Sequence, residues 1–107
     1  AGGEAGGLVH WAVAEVICAL KRVKDAMNAG KPLPMALREN RIWGPKERLF
    51  ERILPKASDA ALARLLQSAH VVDGIVKGLK VPDWPQDGWQ ALQRLALQLC
   101  RLTSAAR

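Results

Sequence analysis

None of the six prolines in this 107-residue chain falls inside an apolar run of helical spacing; all of them stand between such runs or at their edges. Proline lacks the amide that a helix interior or a central strand needs, so these positions divide the chain before any propensity is weighed. Gly30, then Pro32 and Pro34, close a first segment; Gly44-Pro45 opens a third; Pro55 closes it; Pro82 and Pro85 separate a fourth from a fifth. Within each segment apolar residues recur at three- and four-residue intervals, the period of a helix with one buried face. Tyr is absent, Phe occurs once, and no alternating strand pattern is present. The expected fold is all-α, a compact bundle of about five helices.

The opening Ala-Gly-Gly-Glu-Ala-Gly-Gly is expected as a flexible linker over 1–7, followed by one helical domain over 8–102 and a frayed tail over 103–107. Helix one is predicted from Leu8 to Ala29, its seam formed by Val9, Val13, Val16, Leu20, Val23 and Met27, with Trp11 and Ile17 widening it and Gly30 as its stop. A short second helix ends near Glu39 or Asn40. Helix four starts after Ser58, whose side-chain oxygen can accept from a free amide, and carries Leu62, Leu65, Ala69, Val72, Val76 and Leu79. Gly74 and Gly78 share a face of it, which suggests close packing against another helix. Helix five carries Trp89, Leu92, Leu95, Ala96, Leu99 and Leu102.

Residues 41–54 concentrate the most signals. Gly44 permits an unusual turn, Pro45 suits the first position of a helix, and Leu49, Phe50, Ile53 and Leu54 form one apolar stripe. Arg38 to Lys56 carries six bases against three acids, the densest basic stretch in a chain of formal charge +6. That excess is compatible with an anionic partner such as nucleic acid, although bases and acids are interleaved and a solvated mixed-charge surface is the plainer account. Arg41, Trp43, Lys46, Arg48 and Arg52 are the candidate subunit-interface residues, because arginine and tryptophan are favoured at protein contacts. The alternative, in which Trp43 plugs the end of the bundle and the arginines are solvated, remains equally open.

Searches for chemistry come back empty, so no enzyme activity, cofactor or metal is expected. His10 and His70 have no nucleophile motif beside them and are expected as polar-face or satisfied core residues. Glu47 and Glu51 are flanked by Arg48 and Arg52, so charge pairing accounts for them. Gly30-Lys31 lacks the earlier glycine and the following hydroxyl residue of a phosphate loop. Cys18 and Cys100 share no metal spacing with either histidine and are expected as small core residues in a reducing cytoplasm, with a mutual disulfide the minor alternative. Trp11, Trp43, Trp84 and Trp89 are expected as core anchors, with Trp43 and Trp84 the two left open for a protein contact. The stretch from Leu8 to Leu20 is interrupted by His10 and Glu15 and falls short of a membrane span.

Four phrases in this chain resemble a known family. They are Leu-Val-His-Trp-Ala-Val at 8–13, Ala-Gly-Lys-Pro-Leu at 29–33, Arg-Ile-Trp-Gly-Pro-Lys at 41–46 with the following Leu49-Phe50, and Asp73, Lys77, Gly78 and Leu79. Together they look like the C-terminal domain of the delta subunit of bacterial DNA polymerase III, part of the clamp loader. The likeness spans most of residues 8–102; Gly74 and Val76 depart from it, standing where a better helix former and a less bulky contact are expected. It implies a collar domain that packs beside the collar domains of the gamma/tau-type and delta prime subunits, holding together the machine that places the sliding clamp on primed DNA. It implies a cytoplasmic, replisome-associated protein, with DNA touched only indirectly or weakly. A basic helical nucleic-acid-binding domain, or the collar of another clamp loader subunit, is the alternative.

Overall fold

The longest helix sets the long axis of the molecule. A helix of 27 residues is about 40 Å long, and the computed structural model, which describes the backbone of residues 2–105 and the side chains of residues 9–102, measures 40 × 27 × 24 Å. Five helices are present among the described residues: α1 (Gly2–Asn28), α2 (Leu33–Glu39), α3 (Pro45–Ile53), α4 (Asp59–Val76) and α5 (Gly88–Ala105). No strand occurs among those residues. The all-α bundle is thus the architecture. Ala1, Ala106 and Arg107, which belong to the expected linker and tail, lie outside the described residues.

α4 is the central helix, packing on α1 along one side and on α5 along the other. Asn28 Nδ2 at the end of α1 donates to Asp59 Oδ1 at the start of α4 (2.9 Å), so the two run antiparallel. Gly88, the first residue of α5, sits beside Val76, the last of α4, so those two are antiparallel as well. α1 and α5 therefore run in the same direction. α2 packs against α1 and α3 against α5, and the core they close contains Ile17, Leu20, Val23, Leu37, Phe50, Ile53, Leu54, Leu62, Leu65, Val72 and Leu95.

The helix ends explain the boundaries. Ser58 Oγ accepts from the Ala61 amide at 3.0 Å, the expected cap of α4. Asp87 does the same for α5, its carboxylate accepting from the Gln90 amide at 3.3 Å. α1, α2 and α4 all end in the same paired closure, in which the two amides after the cap turn back to the last-turn carbonyls. In α4 these are Gly78 N–H to Ile75 O (3.0 Å) and Leu79 N–H to Gly74 O (2.9 Å), with Gly78 at φ +101°. That corrects the expectation for the two glycines. Gly78 provides a left-handed backbone, and Gly74 leaves room for the Leu79 side chain folded back over it, 3.1 Å from where a Cβ would stand.

α2 closes in this way without a glycine, since the left-handed position is held by Arg41 at φ +59°. An L side chain there is strained by roughly 1–2 kcal/mol, and glycine returns part of the gain through its freer unfolded chain. Arg41→Gly should therefore raise stability by about 0.5–1 kcal/mol in urea unfolding. An unchanged or lower midpoint would contradict this account of the α2 end. Leu54 keeps helical angles (φ −62°, ψ −39°) although Pro55 follows it, because the fully buried Leu54 side chain outweighs the local preference.

Several seams are shorter than their periodicity suggests. Val9 and Trp11 on α1, Val76 and Leu79 on and after α4, and Trp89 on α5 were expected inside and are exposed. All five lie at the same end of the bundle, where α1 begins, α4 finishes and α5 begins. Cys100 is exposed rather than in the core, and Cys18 is a partly buried thiol. No helix among the described residues is long and apolar enough to cross a membrane.

Candidate functional site

The expected interface block surrounds the α2–α3 loop, and its shape comes from two unusual backbones. Arg41 is left-handed, and Gly44 lies at φ +71° and ψ −145°, a combination open essentially to glycine. Between them Ile42 turns into the core while Trp43 is held outward, 62 % exposed. Asn40 fastens the base of the loop by donating from Nδ2 to the Ala36 carbonyl at 2.8 Å. Trp43 is thus not the plug of the bundle end. It is an aromatic side chain displayed on a fixed loop.

The block is not one patch. At about 100° per residue, Arg48 and Arg52 share the outer face of α3, opposite Phe50 and Ile53, while Lys46 sits at the helix mouth on another side. Arg41, Lys46, Arg48 and Arg52 are all exposed. Arg48 lines a shallow open cavity of about 660 Å³ with Gly44, Pro45, Glu47 and Glu51. The expected pairing of Glu47 and Glu51 with Arg48 and Arg52 does not form. Ion pairs among the described residues are instead Lys21–Asp25, Arg22–Glu15, Lys31–Glu39 and Lys77–Asp73.

Three of the four tryptophans contradict the expectation of core anchors: Trp11, Trp43 and Trp89 are exposed. Trp84 alone packs against the core, and it does so from the α4–α5 connection. There Pro82 and Asp83 form a turn closed by Trp84 N–H to Val81 O (3.2 Å), with Asp83 at φ +67°. Arg94 on α5 reaches back over this turn. Its guanidinium lies 4.1 Å from the Trp84 ring centre, and its Nη1 donates to the Asp83 carbonyl at 2.7 Å. A cation over an indole and a charged hydrogen bond thus hold one connection from a single side chain.

His10 departs from the expectation of a satisfied core residue. It is only 9 % exposed, and its Nε2 has no hydrogen-bond partner. His70 is exposed on α4. Both lie close enough to Asp73 to act on it. The hydrogen bond from Lys77 Nζ (2.9 Å) is the main cause that holds the Asp73 carboxyl below its ordinary value, against a smaller opposing effect of desolvation; the charges of Lys77, His10 and His70 add to the lowering. Because the folded-state value is depressed, the stabilisation is fully present above the unfolded value near 3.8 and is lost as pH falls through the folded one. The stability difference between wild type and Asp73→Asn should accordingly shrink as pH falls below about 4. A difference that persists undiminished at pH 2 would exclude this origin.

No cluster of three His, Cys, Asp or Glu side chains suited to a metal ion occurs among the described residues. Comparison with protein-family models, with curated proteins and with solved structures finds no match for this chain.

Proposed function

We propose that this chain is a helical assembly module, the C-terminal collar domain of a clamp loader delta subunit within the DNA polymerase III holoenzyme. The observation that carries the reading is Trp43, held 62 % exposed between Arg41 and Gly44. Tryptophan displayed on a backbone that only a special geometry permits loses little freedom on docking, and such residues dominate the energetics of protein contacts. Met35 and Leu97 add exposed apolar area elsewhere on the surface. Arg48 and Arg52, on the adjoining helix face, supply a charged rim of the kind that surrounds apolar anchors. The resemblance in residues 8–13, 29–33, 41–46 and 73–79 names the partners: the collar domains of gamma/tau-type and delta prime subunits.

The test is light scattering on a sizing column, with the chain alone and then mixed with those two collar domains. A mixed complex is expected, and Trp43→Ala should weaken it by about tenfold or more while leaving the fold intact. No complex at tens of micromolar would count against the collar assignment. A complex indifferent to Trp43→Ala would remove Trp43 from the interface.

A further inference from the structure

We infer that the groove between α4 and α5 binds the phosphate backbone of single-stranded nucleic acid, through Arg64, Arg94 and Arg101. Two openings of about 220 and 390 Å³ share Gln98 and Arg101, so they form one continuous groove. Its α5 wall is the stripe Arg94, Gln98 and Arg101, spaced by four and three residues along one face. Its α4 wall holds Arg64, opposite Arg101, and Ser68, only 9 % exposed, lies at its floor. Arg94 and Arg101 are separated by about 10 Å along the helix, so they reach different phosphates of one strand.

The charge is one-signed. α5 contains no acidic residue, and α4 has none between Asp59 and Asp73. None of the three arginines has an ion-pair partner among the described residues. Asp83 meets Arg94 through its backbone carbonyl. Arginine's planar fork matches phosphate oxygens, and Gln98 adds both a donor and an acceptor. An acidic polypeptide would find the same charges, but one further feature favours nucleic acid. The Arg94 guanidinium already lies over Trp84 at the mouth of the groove, and the exposed plane of a stacked guanidinium is a platform for an unpaired base. This inference is independent of the collar assignment, since it uses neither Trp43 nor α3.

The experiment is fluorescence anisotropy of a labelled oligothymidylate titrated with the whole chain across salt concentrations. Three phosphate contacts to a single strand give a slope of log affinity against log salt near −2, or about a 20-fold loss between 50 and 200 mM. Arg64→Gln/Arg101→Gln leaves the Arg94–Trp84 stack in place and should reduce the slope to roughly −0.7. Arg64→Lys/Arg101→Lys keeps the charges and should hold the slope near that of wild type, which separates loss of phosphate contacts from damage to the helices. Arg22→Gln/Arg38→Gln also removes two charges, from exposed positions on α1 and α2 outside the groove, and should leave binding unchanged. Binding lost equally in this control variant would overturn the groove as the site. Absence of binding at low salt, or equal affinity for a duplex, would overturn the ligand, and so would competition by polyglutamate as effective as that by unlabelled oligonucleotide.

Discussion

Phe50→Ala should lower the stability of the domain by about 3–5 kcal/mol, enough to remove much of the 5–15 kcal/mol typical of a small domain. Phe50 is the one phenylalanine of the chain, is completely buried, and belongs to a nine-residue helix that is too short to persist alone in water. What holds α3 is therefore its stripe, Phe50, Ile53 and Leu54, each fully buried. Truncating the ring removes apolar contact and leaves a cavity whose walls come from separate helices, so collapse around it is limited. In urea the midpoint should fall by roughly 2 M with little change in slope. Leu49→Ala, one residue away and only partly buried, should cost clearly less. A Phe50→Ala loss under about 1 kcal/mol would mean that α3 is not anchored through this ring.

Gly44→Ala is expected to cost about 1–3 kcal/mol for an entirely different reason. Apart from its two chain neighbours, a Cβ at this position meets no atom within 4 Å, so crowding by the rest of the fold contributes nothing. The penalty lies in the backbone, whose φ +71° and ψ −145° are the mirror image of the polyproline conformation. The mirror relation gives a direct control. A D-alanine placed at 44 by chemical synthesis has the favoured angles and, by restricting the unfolded chain, should match or exceed the stability of glycine. Equal losses with L- and D-alanine would point to a steric origin and refute the conformational one. L-alanine should also disturb how Trp43 is presented, so the proposed contact through Trp43 should weaken beyond the loss of stability.

Much of the fold was legible because its punctuation is local chemistry. Pro45 opening α3, Ser58 capping α4 and Gly30 ending α1 each depend on neighbours a few residues away. The glycine pair in α4 misled for a related reason. Spacing by four suggests a shared helix face, but Gly78 lies beyond the helix end and serves the closure of that end. Seam lengths were not legible, since periodicity shows which face of a helix is apolar and not how far its neighbour extends. Val9, Trp11, Val76 and Leu79 continue their stripes past the point where another helix covers them.

The candidate surfaces divide along the same line. Trp43 stands out in the chain because Gly44-Pro45 follows it, although only the backbone angles at 41 and 44 show that it is displayed. The α4–α5 groove joins Arg64 to Arg94 and Arg101, residues brought together by the antiparallel turn and separated by thirty or more positions in sequence. A partial signal was present in α5: Arg, Gln and Arg at helical spacing in a segment without a single acid. A count of charges over short windows, which picked out 38–56, passes over a stripe spread across two helices.

The placement of the tryptophans also determines how the protein looks spectroscopically. With Trp11, Trp43 and Trp89 in water and no tyrosine in the chain, only Trp84 sits in a partly apolar setting, beneath a cation that tends to quench it. The folded protein should emit almost as far to the red as the unfolded chain, so the loss of structure will be nearly invisible in intrinsic fluorescence and plain in far-ultraviolet circular dichroism. The same arrangement makes the native surface self-reporting: whatever covers Trp43 will move the emission to the blue, with no label attached.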